Sequence, residues 1–111
     1  MKMMDFLNRY TYRVTWSEGD GEFVGTCAEF PSLSWLASDG ADAFTGIRNL
    51  VADVLEDMAE TGETPPPALS LKSFSGKFMV RVPPEVHRRL AIEAEEARVS
   101  LNRLVSAKLS A

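Results

Sequence analysis

Residues 61–67, Thr-Gly-Glu-Thr-Pro-Pro-Pro, constrain this chain more than any other stretch. Three consecutive prolines supply no backbone N–H donors and favour an extended conformation, so neither a helix nor a central strand continues through them. Gly62 stands where a helix ending near Glu60 would place a left-handed C-terminal residue. The sequence therefore predicts two pieces, residues 1–61 and 76–111, joined by a linker over residues 62–75 with room for a return strand at residues 68–72. A chain of 111 residues ordinarily makes one domain, so a second core must be small or be completed by another chain.

Charge changes sign at the same seam. Residues 1–71 carry 12 Asp and Glu against four basic residues, a net of −8, whereas residues 72–111 carry eight basic residues against four Glu, a net of +4. The overall charge of −4 would argue against a nucleic-acid partner, but its segregation removes that objection for the second piece. No apolar run approaches the roughly 18 to 20 residues that span a bilayer. The first ten residues interrupt any signal-peptide core with Asp5, Asn8 and Arg9, so a cytoplasmic protein is expected. Cys27 is the only cysteine; it has no internal disulfide partner, which suits a reducing compartment.

In the acidic piece, Tyr10, Tyr12, Val14 and Trp16 alternate with Arg9, Thr11, Arg13 and Thr15, the period of a half-buried strand. The turn formers of residues 17–21 lead into a second strand over residues 22–28, and residues 34–37 make a short third. From Asp39 to about Glu60 the period changes. Phe44, Ile47, Leu50, Val51, Val54, Leu55 and Met58 share one face of a helix that Asp39 caps, with Asp42 completing an approximate capping box. An antiparallel sheet with one packed helix follows.

Catalytic machinery is not legible in this half. Glu18, Asp20 and Glu22 lack the fixed offsets of a calcium loop and read as a solvated hairpin tip. The only histidine, His87, lies in the other piece, so no Ser-His-Asp or Cys-His set can be assembled, and Cys27 reads as a small buried hydrophobe. The chain is expected to be no enzyme, with no catalytic residue, metal site or cofactor.

In the basic piece, residues 76–83 predict a strand with Phe78, Val80 and Val82 on one face and Lys77, Met79 and Arg81 on the other. Pro84 suits the first position of a helix whose apolar stripe is Val86, Leu90, Ala94 and Ala97; Ile92 falls outside it. Ser100 caps a second helix with Leu101, Leu104, Val105 and Leu109 at helical spacing. Thirty-six residues cannot bury these stripes within one chain, and no metal or disulfide is available. A second copy is the natural complement. Two such strands paired antiparallel make a ribbon that fits a DNA major groove, with Arg81 on guanine edges, Lys77 on guanine or phosphate and Met79 on a thymine methyl.

Residues 77–86, Lys-Phe-Met-Val-Arg-Val-Pro-Pro-Glu-Val, with residues 98–102, Arg-Val-Ser-Leu-Asn, resemble a ribbon-helix-helix DNA-binding domain of the Arc/MetJ kind. The resemblance implies that Lys77, Met79 and Arg81 read bases and that Ser100, Leu101 and Asn102 hold a phosphate at a helix N-terminus. It also implies a dimer core of Phe78, Val80, Val82, Val86, Leu90, Leu104 and Val105. One departure is Arg98, where such domains usually place glycine.

With that domain in view, residues 12–33, the helix containing Ala43, Gly46 and Ile47, and the proline-terminated end resemble the HicB antitoxin family. The resemblance implies an α+β chain: a partial RNase H-like domain that neutralises a HicA-type, mRNA-cleaving toxin, and a dimeric domain that represses its own operon. The helix start departs from the family pattern, with Ser38-Asp-Gly-Ala-Asp42 in place of Asp-Thr and following Glu residues. The implied partners are a HicA-like toxin, operator DNA and a second copy, with pairing of dimers into tetramers left open and no membrane. Two alternatives stand beside it: a ribbon-helix-helix repressor whose N-terminal domain senses a ligand, and an RNase H-like nuclease. The toxin-contacting residues are not legible.

Overall fold

A computed structural model describes residues 2–111. The fold is α+β, with a three-stranded antiparallel sheet and four helices among the described residues. The chain forms two compact units, Met1–Phe74 and Ser75–Ala111.

The first unit begins with α1 (Met3–Arg9), followed by β1 (Tyr12–Ser17), β2 (Glu22–Cys27), β3 (Ser34–Ala37) and α2 (Gly40–Thr61). The strands lie in the order β1-β2-β3, and Val14 stands opposite Gly25, which stands opposite Trp35. Strand alternation then puts Tyr12, Val14, Trp16, Phe23, Gly25, Cys27, Trp35 and Ala37 on one face. α2 packs across that face and buries Ala43, Gly46, Ile47, Val51 and Leu55. The helical period identifies Ile47, Val51 and Leu55, but not the small residues at the closest approach. A Cβ on Gly25 would come within 2.5 Å of the Ala43 carbonyl oxygen, and one on Gly46 would meet the Trp35 indole. Phe44, expected in the core, is displaced to the border, where it packs edge-on against Tyr12.

Both ends of α2 follow their local chemistry. The Asp39 carboxylate accepts from the Ala41 N–H at 2.7 Å and the Asp42 N–H at 3.4 Å, and Gly62 ends the helix at φ 76°. The reciprocal half of the capping box is not formed, so Asp42 acts on the helix only as a first-turn charge.

Two expectations in this unit are corrected. The stretch before Tyr12 is not the start of a strand: residues 3–9 form α1, whose Leu7 enters the core beside Tyr10. Residues 66–70, expected to be linker and return strand, are tied to the same unit and contain only a 3₁₀ turn, Leu69–Leu71. Tyr10 Oη donates to the Pro66 carbonyl at 2.8 Å, Ser70 Oγ donates to the Arg9 carbonyl at 2.7 Å, and Ala68 is buried. Glu29 takes the role a strand partner would have had. Its carboxylate accepts from the Thr11 N–H at 2.8 Å and the Leu69 N–H at 3.0 Å, leaving those donors satisfied without a ladder. Burial pushes the Glu29 carboxyl up, but these hydrogen bonds outweigh it and hold the group below its ordinary range.

The second unit contains α3 (Pro84–Ala97) and α4 (Leu101–Leu109). Pro84 opens α3 where its missing N–H costs nothing, and Ser100 Oγ caps α4 by accepting from the Arg103 N–H at 3.0 Å. The expected strand over residues 76–83 is absent, because a strand exists only through a ladder and this unit offers no neighbour to pair with. Arg98 adopts the left-handed conformation, φ 57° and ψ 42°, in the turn between the helices. A side chain there costs about 1 kcal/mol relative to glycine. Arg98→Gly is therefore expected to stabilise the second unit by about that amount, read as a higher denaturant midpoint with unchanged slope; an unchanged midpoint would remove the strain argument.

Candidate nucleic-acid interface

Residues 77–82 run along the second unit almost bare. Phe78 is 76% exposed, Met79 82% and Val80 61%, an arrangement that leaves strand-forming residues in water. The segment is led in by Gly76 at φ 83° and by Ser75, whose Oγ accepts from the Lys77 N–H at 3.0 Å. Beside it lies an open groove of about 1050 Å³ whose apolar lining is Phe78, Val80, Val82, Leu90, Leu101, Val105 and Leu109. These are strand-face and helix-stripe residues facing one another across a gap. Only Ala94 is buried in the whole unit, and Val86, Leu90, Leu101, Leu104 and Val105 reach only partial burial. The helices meet, yet their shared stripe is half covered.

Of the expected base-facing residues, Met79 points away from the groove, whereas Lys77 and Arg81 also border it. The clean separation of faces that strand alternation predicts is thus not present in the single chain. Alternation is enforced by pairing, and this segment has no partner strand. Leu101 lines the groove, so its side chain serves the core while its backbone serves the helix end. Leu101 and Asn102, as the first residues of α4, have N–H groups with no acceptor inside the helix, and they lie next to the positive end of its dipole. This end of α4 can receive an anion. Val86 and Leu104, expected in the same core, are half-buried but do not line the groove.

His87 and Ser106 also line the groove, and the sequence reading assigned neither to it. The available signal was spacing. His87 precedes Leu90 by three, and Ser106 precedes Leu109 by three, so each lies one helical step from a stripe residue. The seven basic residues of this unit are Lys77, Arg81, Arg88, Arg89, Arg98, Arg103 and Lys108. Only Lys108 is engaged in an ion pair, with Glu93 at 3.1 Å, among the described residues. The rest are available to phosphate.

The first unit presents no comparable chemistry. Among the described residues no three His, Cys, Asp or Glu side chains gather as a metal site would require. The hairpin-tip acids are held locally, with Ser17 Oγ donating to Asp20 at 2.8 Å. Cys27 is buried, and burial pushes its thiol up, away from the thiolate that a nucleophile needs. No helix among the described residues is long and apolar enough to cross a membrane.

Comparison with known proteins gives a match that includes most of the second unit. The family model described as HicB family matches residues 55–109, from the last turns of α2 through α4. The match covers 55 of the 111 residues, just under half of the chain, as a similarity to the HicB family over that span, and it leaves outside it the strands over residues 12–37. No curated protein and no solved structure matches the chain significantly.

Proposed function

We propose that this chain, as a HicB-family protein, is an antitoxin that binds a HicA-type, mRNA-cleaving toxin through its first unit and, as a homodimer, represses its own operon through its second. The observation that carries the DNA-binding half is the unfinished core of residues 75–111: one buried side chain beside a bare, apolar, strand-length segment. A unit of this size with neither metal nor disulfide completes its core by association. Two copies of residues 77–82, paired antiparallel as a ribbon-helix-helix, turn Phe78, Val80 and Val82 inward over both grooves. Lys77, Met79 and Arg81 then form the outer face of a two-stranded ribbon, of the width a major groove admits. Val86, Leu90, Leu104 and Val105 fill the shared interior. The N-terminus of α4, at Ser100, Leu101 and Asn102, faces a phosphate on each side and sets the register of the ribbon on the duplex.

The antitoxin half rests on family and charge. The first unit carries 12 acidic residues against five basic ones, which suits an RNA-binding, basic partner and accelerates encounter with it. Its sheet and helix serve as the partial RNase H-like domain that covers the toxin, without catalysis of its own.

Operator binding tests the ribbon. Lys77→Ala with Arg81→Ala removes four side chains per dimer, each worth about 1 to 3 kcal/mol where it reads a base. The expected result is more than about 100-fold weaker operator binding and a shallower salt dependence. Wild-type affinity with an unchanged salt slope would exclude the ribbon as the reading head. For the antitoxin half, co-expression of this chain with a HicA-type toxin should restore the growth that the toxin arrests, and truncation after Phe74 should keep rescue while abolishing operator binding.

A further inference from the structure

The first unit has a sheet edge that is open and aromatic and runs into an acidic turn, and we infer that the edge of β1 is where the basic protein partner docks, by adding an extended segment alongside residues 12–16. The inference rests on the antitoxin reading above, which supplies a basic partner but not its place.

β1 is an outer strand that pairs with β2 and packs under α2, and its one contact with α1 is the Tyr12 hydroxyl, which donates to the Leu7 carbonyl at 2.7 Å. The Ala28 N–H donates to the Thr11 carbonyl at 2.9 Å, which sets the phase of the ladder. Alternation then turns the N–H and C=O groups of Arg13, Thr15 and Ser17 toward β2 and those of Tyr12, Val14 and Trp16 outward. The edge has no proline, no lysine and an unbroken register, so none of the usual devices blocks strand addition.

Above the edge, on the helix side, runs an aromatic strip. Trp16 packs edge-on against Phe23 with ring centroids 5.1 Å apart, and Tyr12 against Phe44 at 5.8 Å. At the start of α2 a Cβ on Gly40 would meet Val14 and Phe23 at 3.9 Å, and glycine supplies none to cover them. Trp16 remains 51% exposed and Phe44 43%. A half-exposed tryptophan held in place is the kind of anchor that dominates binding energy. It is held by a carboxylate: the indole N–H donates to Glu18 at 2.6 Å.

Charge selects the occupant. Glu18, bonded to the Trp16 indole, and Asp20, in the same turn, stand at the end of the strip, and neither is in an ion pair; the pairs among the described residues are Arg9–Asp5 and Lys108–Glu93. Of the nearby cations, Arg13 lies on the opposite sheet face and Arg48 is occupied by Asn8 and the Tyr12 ring. A strand bearing Lys or Arg is the complement. The other edge, β3, has four residues against six in β1 and so offers a shorter ladder, and its Trp35 lies against Gly46.

Amide exchange of the full chain, alone and with a catalytically inactive HicA-type toxin, decides the matter. The Tyr12, Val14 and Trp16 amides should exchange freely in the chain alone and slow by at least about tenfold in the complex, while Arg13 and Thr15, already in the ladder, change little. Trp16→Ala with Glu18→Lys should weaken the complex by at least about 30-fold, and Asp53→Lys with Glu56→Lys, the same kind of charge change on α2 beyond the strip, should weaken it far less. Circular dichroism confirms that each variant is folded. A complex that forms with these amides still fast, or with both variants equally weakened, overturns the inference and leaves the antitoxin reading standing. No complex at all overturns both. Slow exchange at these amides in the chain alone means that a second copy already covers the edge, which also overturns the inference.

Discussion

Gly25→Ala is expected to destabilise the first unit by about 2 to 3 kcal/mol, the cost of overpacking where the backbone itself is the obstacle. The added methyl would sit 2.5 Å from the Ala43 carbonyl oxygen and 2.9 Å from Ile47 Cγ2, and Ile47 is fully buried. Neither neighbour can yield without lifting α2 from the sheet, which opens the contact that buries Ile47, Val51 and Leu55. For a unit of this size the loss corresponds to roughly 10 to 20 °C in melting temperature, followed by far-UV circular dichroism. Gly40→Ala is the control. Its methyl meets nothing nearer than 3.9 Å, and alanine favours helix, so its melting temperature should match or exceed wild type. A Gly25→Ala protein as stable as the Gly40→Ala control would mean that α2 and β2 are not in this close contact.

Val80→Glu is expected to abolish dimerisation through the second unit. Val80 is at the middle of residues 77–82 and lines the groove, so pairing two copies as a ribbon brings two glutamates into the apolar interior of Phe78, Val82, Leu90 and Val105 while Lys77 and Arg81 turn to the outer face. Burying unpaired carboxylates costs several kcal/mol, enough to weaken association by more than about 100-fold. Sedimentation equilibrium should show monomer at concentrations where wild type is dimeric, with the first unit folded. Met79→Glu separates the two faces. Met79 lies away from the groove, so that variant should remain dimeric and lose operator binding by charge repulsion. If Val80→Glu associates like wild type, the pairing of residues 77–82 is not what holds two copies together.

Most of the local structure was legible along the chain because it is written in local chemistry. Asp39, Gly62, Pro84 and Ser100 mark helix ends through hydrogen bonds and backbone angles that span four residues or fewer, and each acts where its side chain predicts. The hairpin of β1 and β2 follows from alternation and turn composition in the same way. What was missed depends on partners distant in sequence. α1 is seven residues long and gains its stability from Leu7 and Tyr10 meeting a core built by residues 27–68, which no window of ten residues contains. Residues 66–70 read as linker because three prolines exclude regular structure, but exclusion from a ladder is not freedom: Tyr10, Glu29 and Ser70 fasten them by single hydrogen bonds.

The candidate interface divides along the same line. The residue types at 77, 79 and 81, the apolar positions between them and the cap at Ser100 are all visible in the sequence, because strand and helix periods are properties of the chain. The missing strand is visible only in three dimensions, since a ladder needs a second backbone and residues 75–111 contain none to offer.

By itself, then, the sequence determined the order of β1, β2, β3, α2, α3 and α4, the end of α2 before the prolines and the change of charge along the chain, since these depend on neighbours along the chain. Tertiary structure alone decided that Gly25 and Ala43 set the approach of helix to sheet, that β1 and β3 are the two edges of the sheet, and that the core of the second unit is left open. Those are facts about which surfaces meet, and close packing resolves them at distances a one-dimensional pattern does not encode.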